Sequence, residues 1–229
     1  MASSTLEKYS EVEENFYNDL MGFVGRDLLF YCVTGSLGRK DVISDWSDID
    51  IILVFQKLDE STLDYLSKAI KLNKTDIKIG TTFYSLKEWN VYKFQDPKTF
   101  DAMHYVFSGI YSPRISNSKV LLNQFPIEML NTVNRISLSS ELCILKRALL
   151  DKQEEKIIYK RLSTILRIFL LDRGVIAGGY QDVWNKSKIY FTDFPLSQIT
   201  PEEIMISPEK YIERTKHYFR FLEWLGGNS

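Results

Sequence analysis

One stretch limits the folds open to this 229-residue chain: an apolar run headed by two acids, Ser47-Asp48-Ile49-Asp50-Ile51-Ile52-Leu53-Val54-Phe55. It reads as a strand, and residues two apart on a strand share a face. Asp48 and Asp50 are therefore expected to project the same way from its leading end. Paired carboxylates repel and are costly to desolvate unless a cation, a donor or water compensates. A divalent metal is one solution, because Mg²⁺ takes a few carboxylates together with phosphate oxygens.

Upstream, Leu28 to Val33 reads as another strand and runs into Thr34-Gly35-Ser36-Leu37-Gly38-Arg39. A turn of small residues lets backbone N–H groups and a hydroxyl approach a phosphate closely. The two halves together suit a metal-bound triphosphate. Gly35-Ser36, Gly38-Arg39 and the Ser-Asp-Ile-Asp strand head resemble the signature of the nucleotidyltransferase superfamily that includes DNA polymerase beta. The nearest layout is that of the small two-domain antibiotic nucleotidyltransferases, of kanamycin and lincosamide type. The motif covers about residues 28 to 55, and the similarity in element order extends to about residue 90.

The resemblance implies an α+β fold, a small mixed sheet with flanking helices followed by an all-helical bundle, and the Gly and Pro punctuation from Ser108-Gly109 to Ser112-Pro113 divides it into residues 1–112 and 113–229. The resemblance also implies metal-dependent transfer of a nucleoside monophosphate to a hydroxyl of a small, antibiotic-like molecule, with release of pyrophosphate. Asp48 and Asp50 would hold Mg²⁺ or Mn²⁺, Gly35 and Ser36 the β- and γ-phosphates, and Arg39 would steady the triphosphate unless it is a surface charge. ATP is the expected donor. Active members carry a third carboxylate on the next strand. That position falls on Asp76, or on Gly80 if the register follows the Phe83-Tyr84-Ser85 end.

Net charge is −1, so no global basic field draws in a long nucleic acid. Cys32 and Cys143 lie far apart without metal-ligand spacing, and Cys32 reads as a buried thiol. No apolar run reaches membrane-spanning length, and the acidic, polar N-terminus is unlike a signal peptide. The expectation is a cytoplasmic protein with no membrane partner, and a homodimer is compatible with it.

Helical spacing is expected from Ser4 to Gly25, with Ser4 and Glu7 as a capping box, and from Glu60 to Leu72. Ile77 to Phe83 alternates like a half-buried strand. Ser85 and Glu88 form a second capping box, and another helical pattern, with His104 as a packing residue, follows Asp96-Pro97. Beyond Ser112-Pro113 the chain reads as helices over Ile127–Asp151, Glu155–Asp172, Gln181–Tyr190 and Pro208–Leu225.

In the family the helical half supplies acceptor contacts and sometimes a lysine for the triphosphate. Lys146 with Glu141, and Lys160 with Arg161, are the candidates, against the plainer reading of charged helix faces. Arg214 and His217 are too close in sequence for the ribonuclease pattern of toxin–antitoxin relatives. Other readings are a degenerate nucleotide-binding or regulatory module, an antitoxin-like interaction protein, and a nucleotidyltransferase that modifies proteins.

Overall fold

The computed structural model describes residues 2–44, 47–92, 96–117, 120, 127–151, 153, 155–191, 193–196 and 211–228. Side chains at 2–4, 92, 97–98, 127–135, 155–156, 211–217 and 228 lie outside that description. The chain is mixed α/β and divides into two compact units, Met1–Met129 and Leu130–Ser229.

The first unit is built on a four-stranded sheet of β1 (Leu28–Thr34), β2 (Ile49–Phe55), β3 (Ile79–Ser85) and β4 (Ile115–Ser116), in the order β3-β2-β1-β4. β1 pairs antiparallel with β2 and β4, while β2 and β3 run parallel. β2 is one of its two inner strands, and every residue of it but Asp50 is no more than 2% exposed. Ile49, Ile51, Leu53 and Phe55 pack into one core with Tyr9, Phe16 and Leu20 of α1 (Ala2–Val24) and Leu66 and Ala69 of α3 (Glu60–Leu72). Asp59 caps α3, accepting the Thr62 N–H at 2.9 Å.

Leu28 and Tyr31 both join this core although they are an odd step apart. A register irregularity between Leu28 and Phe30 restores the alternation. Phe30 meets Trp89 of α4 (Leu86–Tyr92) at 5.9 Å between ring centroids. The Trp89 indole N–H donates to the Val120 carbonyl at 3.0 Å. Burial pushes the Cys32 thiol up to about 12, in keeping with its reading as a buried thiol.

The Ser85–Glu88 capping box forms as expected: Glu88 accepts the Ser85 N–H at 2.8 Å, and Ser85 Oγ accepts the Glu88 N–H at 3.1 Å. Three expectations shift. α1 begins at Ala2, so Ser4 lies past the helix start and not ahead of it. β3 begins at Ile79, because the Thr75 hydroxyl accepts the Ile77 N–H at 3.0 Å and holds residues 75–77 in a bend. Phe83 is exposed, on a β3 that lies at the sheet edge beside β2.

The first unit also runs past residue 112. Beyond α5 (Pro97–Phe107) the chain returns along β1, pairing Ile115 with Tyr31 and Ser116 with Phe30. That pairing binds the segment after Pro113 to the sheet.

In the second unit the described elements are helices: α6 (Ile127–Leu150), α7 (Glu155–Asp172), α8 (Tyr180–Tyr190) and α9 (Tyr211–Asn228). Leu162, Ile165 and Leu166 of α7 are fully buried, and Tyr159 meets Trp184 of α8 at 5.1 Å. The Ser207-Pro208 helix start lies outside the described residues. No helix among the described residues is long and apolar enough to cross a membrane.

Candidate active site

The sheet topology brings the sequence motifs to one edge. β1 and β2 are antiparallel with Thr34 opposite Asp50, so the end of β1 meets the beginning of β2. β3 is parallel to β2 with Gly80 opposite Asp50, so its beginning arrives at the same place. Asp50 is half-buried and is the one charged residue in a strand otherwise sealed from water. A carboxylate there is costly unless it is compensated.

Glycine flanks it on both sides. Gly35 opens α2 (Gly35–Arg39) with φ +61°. A Cβ on Gly35 would lie 2.5 Å from Asp50 Oδ2, which is overlap. On the other side a Cβ on Gly80 would stand 3.6 Å from Asp50 Oδ1, an ordinary contact. The Thr34 hydroxyl donates to the Asp50 carbonyl at 3.3 Å, tying the turn to the strand. Gly35 is thus required both by its backbone and by the carboxylate it faces.

Asp48 precedes β2, so strand alternation does not govern it. The preceding loop is closed by Ser47, whose N–H donates to the Ile43 carbonyl at 3.0 Å and whose Oγ accepts the Ile43 N–H at 2.9 Å. Tyr9 of α1 donates its hydroxyl to the Ser47 carbonyl at 2.9 Å. Asp48 lines a cavity of about 70 Å³ with Lys8, Tyr9, Ser44, Ser47, Asp76 and Ile77.

Asp76 lies in the bend before β3, 65% exposed, and is ion-paired to Lys8 at 2.7 Å. The Lys8 ammonium, as hydrogen-bond donor and neighbouring charge, holds its carboxyl below the usual range. The residue in register with Asp50 is Gly80. Among the described residues there is no group of three or more His, Cys, Asp or Glu side chains that could hold a metal.

Arg39 is only 11% exposed, and so is its partner. Its Nε meets Asp41 Oδ2 at 3.5 Å, and its Nη1 donates to the Tyr111 hydroxyl at 3.0 Å. It is a half-buried, partnered guanidinium, not a freely exposed surface charge. Ser36 is buried, and its carbonyl accepts the Asp41 N–H at 2.9 Å.

In the second unit Lys146 is exposed on α6, and Arg161 is paired with Glu141 at 3.1 Å. Lys160 is half-buried, with its carbonyl accepting the Thr164 hydroxyl at 3.0 Å. His104 is half-buried in α5, and desolvation lowers its imidazole from the ordinary value. The side chains of Arg214 and His217 lie outside the described residues.

Sequence reasoning missed Tyr111, Tyr9 and Lys8. Each reaches the site from a distant element, and only Gly38 hinted at a close neighbour. A Cβ on Gly38 would lie 2.6 Å from the Val33 carbonyl oxygen and 2.9 Å from the Tyr111 ring.

The Asp50 carboxylate is the kind of hard oxygen donor that Mg²⁺ or Mn²⁺ would take beside phosphate oxygens, whereas Asp48 faces the cavity it shares with Lys8 and Asp76. Comparison with models of known protein families gave no match, and comparison with curated proteins gave none.

Proposed function

We propose that this chain binds a nucleoside triphosphate with Mg²⁺ at the Gly35–Asp50 edge and transfers the nucleoside monophosphate to a hydroxyl of a small acceptor. The fold behind this reading is a nucleotidyltransferase-type sheet domain followed by a helical domain. One observation carries it: a half-buried carboxylate heads a sealed inner strand and packs against a glycine turn that leaves no room for a side chain.

The acceptor oxygen attacks the α-phosphorus, the bond to the bridging oxygen breaks, and pyrophosphate leaves. The hydroxyl proton passes to a base or to water. The Gly35–Ser36 backbone holds the β- and γ-phosphates, and Asp50 with Asp48 anchors the cation. When bound, Mg²⁺ neutralises phosphate charge and aligns the leaving group. ATP is the donor of choice and an antibiotic-like molecule the acceptor.

A second reading is favoured by Gly80 standing opposite Asp50 where a third carboxylate would serve as base. On that reading the chain binds nucleotide without turning it over. Incubation with each common nucleoside triphosphate, Mg²⁺ and a panel of hydroxyl acceptors separates the two. Transfer predicts acceptor-dependent pyrophosphate release that is lost in Asp50→Asn. The binding reading predicts a nucleotide-dependent rise in melting temperature with no release. Release undiminished in Asp50→Asn would overturn the assigned site.

A further inference from the structure

The Gly35–Arg39 turn rests on a residue from the far end of the first unit. Tyr111 is 4% exposed and stacks on Tyr105 with ring centroids 5.1 Å apart. Its own N–H donates to the Tyr105 carbonyl at 3.1 Å. The ring lies directly beneath Gly38, and its hydroxyl accepts from Arg39. Asp41 closes the other side of the guanidinium, and the chain from Leu37 to Asp41 is folded back by Lys40 at φ +62°. Arg39 is therefore held by the protein, with its Nε and Nη1 both engaged.

We propose that Tyr111 is a positioning residue of the triphosphate site. Through Arg39 it fixes the attitude of the turn that presents Gly35 and Ser36 beside Asp50, and Arg39 acts by this anchorage without itself holding phosphate. The inference rests on the triphosphate reading above. Its physical basis is that one hydrogen bond to a charged donor, shielded from water, fixes a short helix too brief to hold its own orientation.

The test is calorimetric titration of the full chain with ATP, GTP, CTP and UTP in the presence of Mg²⁺. Tyr111→Phe keeps the ring under Gly38 and removes only the hydroxyl. It is expected to weaken nucleotide affinity roughly three- to tenfold. Backbone N–H exchange in residues 35–39 should quicken in the free variant. Arg39→Lys, which keeps the charge but loses the fork, should weaken binding similarly. The double variant should bind no worse than Arg39→Lys alone, because both changes break one link.

A wild-type chain that binds and a Tyr111→Phe variant that binds equally well, with exchange unchanged, overturns the inference and leaves the triphosphate reading standing. So does additive loss in the double variant, which marks Arg39 as a direct phosphate ligand. Should Tyr111→Phe melt too low to titrate, Arg39→Lys carries the test: full wild-type affinity there means that charge alone suffices and overturns the inference. A wild-type chain that binds none of the four nucleotides sinks the triphosphate reading and this inference with it.

Discussion

Gly35 and Gly80 flank the same carboxylate yet are not equivalent. Gly35 has a left-handed backbone, and an added methyl group would overlap Asp50 Oδ2. Gly35→Ala is expected to cost about 1 to 3 kcal/mol and to displace the Asp50 carboxylate. Gly80→Ala meets only ordinary contact and should change stability by less than about 1 kcal/mol. Denaturant melts of the two variants check the contrast, and equal losses would mean the turn is not strained as described. Asp50 also implies a linkage. On the proposed function, a cation held by Asp50 would take phosphate oxygens for the rest of its shell. Mg²⁺ titrated alone should give no saturable heat at millimolar concentration, and Mg²⁺ with ATP should. Tight binding of Mg²⁺ alone would contradict this account.

At the scale of elements, α1 is joined to the sheet by a buried polar contact. Glu13, 3% exposed, accepts the Tyr31 hydroxyl at 2.7 Å and is paired with Arg114 in the segment leading to β4. The Arg114 guanidinium also meets Glu14 Oε2 at 2.6 Å and lies over the Tyr17 ring. Replacing Glu13 by Ala leaves the Tyr31 hydroxyl buried without its acceptor, and should cost about 2 kcal/mol. Burial, reinforced by the neighbouring Glu13 charge, raises the Tyr31 phenol above its ordinary value.

Because the folded value is the higher one, the stabilising contribution is complete below the unfolded phenol value, about 10, and is lost as pH rises beyond it. Relative to Tyr31→Phe, the wild type should lose roughly 1.4 kcal/mol per pH unit above that point. Equilibrium unfolding of both proteins from pH 8 to 11 measures this, and parallel curves would remove the phenol from the explanation.

For the whole molecule, the division at Met129 has a direct consequence. The core joining α1, α3 and the sheet uses residues from Leu6 to Ile115, all within the first unit. A fragment of residues 1–129 should therefore unfold cooperatively on its own, as followed by circular dichroism. A fragment lacking β4, residues 1–112, should be less stable, because it loses the strand paired to β1 and the Val120 carbonyl that satisfies Trp89. Equal melting of the two fragments would place the boundary at 112 after all.

The sequence by itself determined what is local. Period and composition were enough for the strand around Ile51, for α3, for the Ser85–Glu88 cap and for the described helices of the second half, since these follow from neighbours a few residues apart. The pairing of Gly35 with Asp50 was also legible, as two motifs each beside a strand. Only the tertiary structure decided which residue stands opposite Asp50, because register is set by pairing between strands and a bend at Thr75 delays β3 by two residues. It also decided the fate of Arg39 and Asp76. A charged side chain is committed by whatever partner the fold brings to it, and Tyr111 and Lys8 arrive from segments that are remote along the chain.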